Sequence, residues 1–196
     1  MKTVLEASAA SLLIGIGVFA LLKIGTPLGA FLFSLGLLSV CVLRQQLFTG
    51  QCGFVFEDKI PCRRLGIVLA VNLLAGYGIG ILFSLTDNSL VGVAESKVAG
   101  WTISPQFFLQ SIWCGVIMYL AVATYREGTI WGILLGVPLF ILCGFQHCVA
   151  NAVIMGIAGE FNVALAVCVL GNFVGSLAAW CLTRNNMLQW WHGHRT

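Results

Sequence analysis

The sequence predicts an all-α integral membrane protein with six transmembrane helices, the second and fifth of them interrupted. Three observations carry that reading. Of 196 residues, 59% are hydrophobic and 9% charged, against about 25% charged in an average soluble domain, which excludes a water-soluble globule. The charges also leave six long uncharged stretches, and two of these hold polar residues near their middle where lipid would not tolerate them.

The stretches are Ala7 to Leu22, Ile24 to Leu43, Leu65 to Thr86, Val98 to Tyr125, Gly128 to Gly159 and Phe161 to Thr183. About 20 apolar residues cross the hydrocarbon core as a helix. The first stretch is read as a span and not as a signal peptide, because no small-residue cleavage site precedes a soluble domain. Lys and Arg in short loops set orientation. Lys2, Lys59, Arg63, Arg64, Arg126, Arg184 and Arg195 share one face and Lys23 and Lys97 the other, which predicts both termini in the cytoplasm and a multi-pass protein of the cell inner membrane. Basic residues scattered at span ends form no nucleic-acid patch. Six of the eight cysteines (41, 114, 143, 148, 168 and 181) lie within apolar spans and Cys52 and Cys62 flank an end, so neither a disulfide framework nor a metal motif is expected. No cofactor is expected either. Trp101, Trp113, Trp131, Trp180, Trp190 and Trp191 fall mostly near span ends, as interfacial anchors do.

In the second stretch, Leu28 to Leu43 reads as helix before Arg44-Gln45-Gln46 and Leu47-Phe48-Thr49-Gly50. A half-helix, a re-entrant loop and a second short half accommodate it, because irregular backbone at depth must be enclosed by protein or a watery cavity. The fifth stretch is 32 residues, about 48 Å as a straight helix, and so overshoots a core of about 30 Å. A break at Gly144-Phe145-Gln146-His147 accounts for both its length and its polarity; tilt is the alternative.

Spans three and six carry Asn72-Leu-Leu-Ala-Gly76 and Gly171-Asn172-Phe-Val-Gly175, with the two Asn residues 100 positions apart and Thr49 and Cys148 separated by 99. This recurrence predicts one transmembrane channel domain over 1–196, made of inverted three-span repeats, about 1–97 and 98–196, joined near Glu95 to Gly100, with a site at their interface.

His147 is the histidine placed within a break, where an ionisable group is costly and usually functional; its near-neutral titration would let it relay a proton to a weak-acid anion or give a hydrogen bond within a pore, and a neutral ring bonded to backbone is the plainer alternative. Thr49 either satisfies freed backbone groups or faces a passing ion. Asn72 and Asn172 are expected to brace the breaks, with Asn151 and Gln146 supporting. Lys97, expected in the loop before span four, is either a vestibule cation or a solvated lysine. Arg44 has three readings: a cation at the first break, a snorkelling residue, or half of an ion pair. Phe33, Leu37, Phe48 and Phe140 are candidates for dry constrictions, with ordinary helix packing as the alternative.

At these residues the chain resembles the formate/nitrite transporter family. Leu47-Phe48-Thr49-Gly50 is similar to its first-break motif, and Gly144-Phe-Gln-His-Cys-Val-Ala-Asn151 to its second. Gly171 to Gly175 and Leu120-Ala121-Val122 resemble motifs of its sixth and fourth spans. The resemblance implies an aquaporin-like protomer in a homopentamer, conducting small monovalent weak-acid anions (formate, nitrite or hydrosulfide) and protons, not an enzyme. It implies a pore histidine at His147, an outer constriction of Phe33 and Phe140, an inner one of Leu37 and Phe48, a loop threonine at Thr49 and a vestibule lysine at Lys97. Gln146 stands where the family has Glu, and Gly115 where it has Asn. The rival functions are a membrane metal site using His147, Cys143 and Cys148, with 143 and 147 one helical turn apart, and a non-conducting sensor or scaffold.

Overall fold

The computed structural model describes residues 1–25 and 27–193, with side chains described as far as Thr183. The expected roles of Arg184, Trp190, Trp191 and Arg195 therefore lie outside the described residues. The helices are α1 (Lys2–Ile24), α2 (Leu28–Val42), α3 (Phe48–Gln51), α4 (Cys62–Thr86), α5 (Ser89–Ala99), α6 (Pro105–Arg126), α7 (Trp131–Leu142), α8 (Cys148–Ala158) and α9 (Ala164–Gly193), with a 3₁₀ turn at Cys52–Phe54.

Four of them, α1, α4, α6 and the Ala164–Thr183 part of α9, are long and apolar enough to cross a membrane, while α2, α7 and α8 are shorter apolar helices. The burial pattern departs from that of a soluble protein in leaving large apolar side chains exposed while enclosing polar ones in an apolar core. Leu74, Leu82 and Leu85 of α4 are exposed, whereas Ser11, Thr49, Asn72, Ser111, His147, Asn151, Asn172 and Ser176 are buried. Lipid offers apolar side chains no reason to hide and offers polar groups no partner, so polar groups turn inward.

With no hydrophobic drive between helices, close backbone approach does the packing. A Cβ on Gly175 of α9 would lie 2.0 Å from the Ile112 carbonyl of α6, and one on Gly115 of α6 2.2 Å from the Asn172 carbonyl. Gly156 of α8 meets the Tyr77 carbonyl of α4 in the same way, at 2.0 Å. These crossings join α6 to α9 and α4 to α8, while α1 packs on α2 and α4, and α2 packs on α7.

The chain leaves helical backbone after α2 and after α7 with one shared geometry. After α2, the Gln45 N–H bonds the Val40 carbonyl at 2.9 Å; after α7, the Phe145 N–H bonds the Phe140 carbonyl at 2.9 Å. The turning residue has positive φ in each: 54° at Arg44 and 71° at Gly144. Leu47 (φ −110°, ψ 125°) and His147 (φ −109°, ψ 115°) then begin α3 and α8 in nearly the same extended backbone.

Three expectations need correction. The offset between breaks is 100, not 99, so Phe48 corresponds to Cys148 and Leu47 to His147. Lys97 sits in the last turn of α5, not in a loop; Leu90, Ala94 and Val98, one turn apart, bury its inner face. The connection between the halves is accordingly 100–104, beyond the expected Glu95 to Gly100. The halves past the breaks are also unequal, because α3 ends after four residues while α8 runs for eleven. Gly53 follows α3 where a Cβ would strike the Tyr119 ring at 2.3 Å, and the charged Glu57-Asp58-Lys59 lies just beyond.

Candidate functional site

Each break is held by an asparagine from the span that follows it. Asn72 Oδ1 accepts the Phe48 N–H at 2.8 Å, and its Nδ2 donates to the Gln46 carbonyl at 3.1 Å and the Ala7 carbonyl at 2.8 Å. Asn172 Oδ1 accepts the Cys148 N–H at 2.9 Å, and its Nδ2 donates to the Gln146 carbonyl at 2.7 Å and the Ser111 carbonyl at 2.8 Å. An amide side chain suits the task because it offers an acceptor and donors together. The two residues flanking position 47, and the two flanking 147, are thereby fixed.

What stands between those pins differs. Leu47 makes no side-chain cap. His147 Nδ1 accepts the Ala150 N–H at 3.1 Å and so caps α8. An accepting nitrogen carries no proton, so in the neutral ring the proton lies on Nε2. Nε2 faces Thr49 Oγ1 at 2.9 Å; with the tautomer fixed, histidine donates and threonine accepts. The two breaks thus meet through one hydrogen bond between fully buried side chains.

Aromatic rings cover one side of this contact. Phe140 stacks on His147 with centroids 5.8 Å apart and meets Phe33 edge to face at 6.0 Å. Phe33, Phe140, His147, Gln146, Asn151, Trp101 and Lys97 are among the residues lining a cavity of about 100 Å³. On the far side, Leu37, Leu47, Arg44, Gln45, Gln51 and Arg126 are among those lining one of about 420 Å³. His147 lines only the first and Leu47 only the second, and along α2 Phe33 lines the first and Leu37 the second. Phe48 is buried in the core and lines neither cavity; Leu47 and Gly50 are the residues of that motif that reach the larger one.

Gln146 turns away from the histidine. Its Oε1 accepts from Asn151 Nδ2 at 3.0 Å, and its Nε2 donates to the Gly144 carbonyl at 2.9 Å. It stiffens the break. Arg126 was placed by sequence only as a face marker; it bridges Asp58 at 3.1 and 2.6 Å and lies 3.6 Å over the Phe54 ring, tying α6 to the segment behind Thr49. A pair 68 positions apart leaves no local signal in a sequence. Gly115 is explained by the α6–α9 crossing, where no larger residue fits.

Among the described residues, no three His, Cys, Asp or Glu side chains stand close enough to hold a metal ion. Residues 143–147 are not helical, so Cys143 and His147 do not share a helical face. Cys143 is exposed and Cys148 buried.

Comparison with known proteins agrees with this geometry. A family model described as "Formate/nitrite transporter" matches residues 1–184. A relative from Bacillus subtilis (strain 168), "Uncharacterized transporter YrhG", is 29% identical over 181 residues, covering 78% of this chain and 68% of its own. Among solved structures, an "FNT family ion channel" superposes with TM-score 0.74 at 18% identity, over 98% of this chain and 90% of its own. A "Pentameric formate channel with formate bound" superposes with TM-score 0.72 at 19% identity, over 100% and 97%. The fold is shared with both.

Proposed function

Because the chain belongs to the formate/nitrite transporter family, we propose that it is a pentameric channel for small monovalent weak-acid anions, with formate, nitrite and hydrosulfide as the substrates to test. One observation carries the reading: the Nε2–Oγ1 contact of 2.9 Å that joins the two breaks between two hollows. The proposal includes six spans arranged as inverted repeats, about 1–97 and 98–196, and both termini in the cytoplasm of an inner-membrane protein. The recurrence of the asparagine bonds at an offset of 100 and the distribution of Lys and Arg support it. The pentamer rests on the likeness to the solved formate channel, which is described as pentameric.

In this reading an anion gathers at the Lys97 side, where a cation raises its local concentration. A bare charge at mid-membrane costs several kcal/mol, and the Phe33–Phe140 pair offers nothing to replace water. The donors beyond it lower that cost. His147 donates to Thr49 Oγ1, which leaves the threonine hydroxyl proton free to turn toward the passing anion, and a donated bond strengthens the one that follows it. The positive end of the α8 dipole faces the same point. For His147 to release a proton it would first need a second one on Nδ1, which faces the Ala150 N–H. The ring therefore acts as a donor held in place by its cap, and the proton that neutralises the anion is taken from hydronium supplied by the bulk solution, which returns to water.

Flux assays in proteoliposomes test this. Formate, nitrite or hydrosulfide entry is expected, with His147→Ala and Thr49→Val each slowing it; no flux of any of the three would overturn the proposal.

A further inference from the structure

The two breaks superimpose in backbone but differ at the residue that turns the chain. Gly144 supplies the positive φ in the second, and Arg44 supplies it in the first, at 54°. Glycine adopts this left-handed conformation without steric cost; arginine does not. A strained backbone at a functional break asks for a reason in the side chain.

The side chain lines the larger cavity, about 420 Å³, together with Leu37, Gln45, Gln51, Tyr125 and Arg126. The two guanidinium groups there are not equivalent. Arg126 is neutralised by its two-pronged bond to Asp58. The Arg44 side chain is exposed and enters no ion pair or side-chain hydrogen bond among the described residues, so its charge is offered to the cavity. Gln51, on the same wall, donates to Gln46 but keeps a buried amide oxygen with no partner. A buried acceptor left open matches the O–H of a neutral weak acid or of water. One cation and one open acceptor beside apolar Leu37 and Leu47 suit both protonation forms of a small acid.

We infer that Arg44 forms a second anion-binding site, in the cavity on the Arg126 side, which loads small monovalent oxyanions or hydrosulfide from the face opposite Lys97. The left-handed turn is what aims the side chain there. This inference rests on the channel reading above.

The test separates the two. A Gln45→Cys reporter, lining the cavity, is labelled with an anionic and a cationic methanethiosulfonate reagent, and modification at position 45 is read by peptide mass spectrometry. Arg44→Gly is expected to fold at least as well as the parent, because glycine relieves the turn, and to lower the anionic-to-cationic rate ratio about tenfold, the low end of what a charged cleft does to local ion concentration. Arg44→Lys should keep most of the ratio. In flux assays Arg44→Gly should raise the half-saturating concentration for anion supplied from the Arg126 side and leave that from the Lys97 side unchanged. A labelling ratio that does not move on Arg44→Gly overturns the site. If the parent conducts none of the anions, the channel reading fails while the labelling ratio still decides the cavity.

Discussion

Replacing Asn172 with alanine should disable the second break more than any other single polar truncation in α9. The side chain is fully buried. Its loss removes the 2.9 Å bond from Cys148, the 2.8 Å bond to Ser111 and the 2.7 Å bond to Gln146. Polar contacts between membrane helices contribute about 0.6–1.7 kcal/mol each, so three sum to roughly 2–5 kcal/mol. The comparison variant is Ser176→Ala, on the same helix and equally buried, which loses one 3.0 Å bond to the Gly115 carbonyl and so about 0.6–1.7 kcal/mol. Both can be followed by detergent-driven unfolding in mixed micelles, read by far-ultraviolet circular dichroism. Residues 146 and 148 flank the histidine and are released together, so anion flux should fall in Asn172→Ala and persist in Ser176→Ala. Equal costs for the two variants, within error, would refute the assignment of Asn172 as the brace of the break.

His147→Asn retains a cap acceptor for Ala150 but cannot reach Thr49; stability should fall by about 0.6–1.7 kcal/mol for the one interhelical bond lost while flux drops about tenfold or more, for the loss of ~1.4 kcal/mol of stabilisation. Wild-type flux in that variant would remove the donor role. Gly175→Ala places a Cβ 2.0 Å from the Ile112 carbonyl and should cost about 1–3 kcal/mol or more. Gly66→Ala, with nothing within 4 Å, should instead be neutral or stabilising by up to about 1 kcal/mol; thermal unfolding distinguishes them. Outside the spans, the bond from Lys23, helped by Ser89, holds the Asp87 carboxyl down at about 2. A carboxyl depressed in the folded state contributes stability above its unfolded value near 4 and loses it as pH falls toward 2. The thermal midpoint should therefore drop more steeply between pH 4 and 2 in the parent than in Asp87→Asn.

How much was legible varied with the kind of interaction. That helix stops before Leu47 and again over Gly144–His147 is legible because polar residues inside a long uncharged run have few physical solutions in lipid; that Phe48, Thr49 and Gly50 resume helix as α3 is not. Asn72 and Asn172 were readable as braces from their recurrence beside small residues, and Ser11 and Ser111, at the same offset, carry the same signal. The recurrence at 100 was read as 99 at the breaks because Thr49 and Cys148 were paired by their place in a motif; backbone geometry pairs Leu47 with His147. Lys97 read as a loop residue because Glu95, Ser96 and Lys97 are consecutive polar residues, although Leu90, Ala94 and Val98 hold the helical spacing.

The sequence by itself determined what the membrane enforces: long apolar helices and two places where helix cannot continue. Those follow from composition along the chain, since the cost of exposing a backbone or a charge to lipid is paid locally. The tertiary structure decided which atoms meet. That Thr49 touches His147, that Ala150 fixes the tautomer, that Arg126 is neutralised by Asp58 and Arg44 is not, all depend on residues distant in sequence. Such contacts are set by how closely glycine-lined helices approach, a geometric outcome that no local pattern encodes.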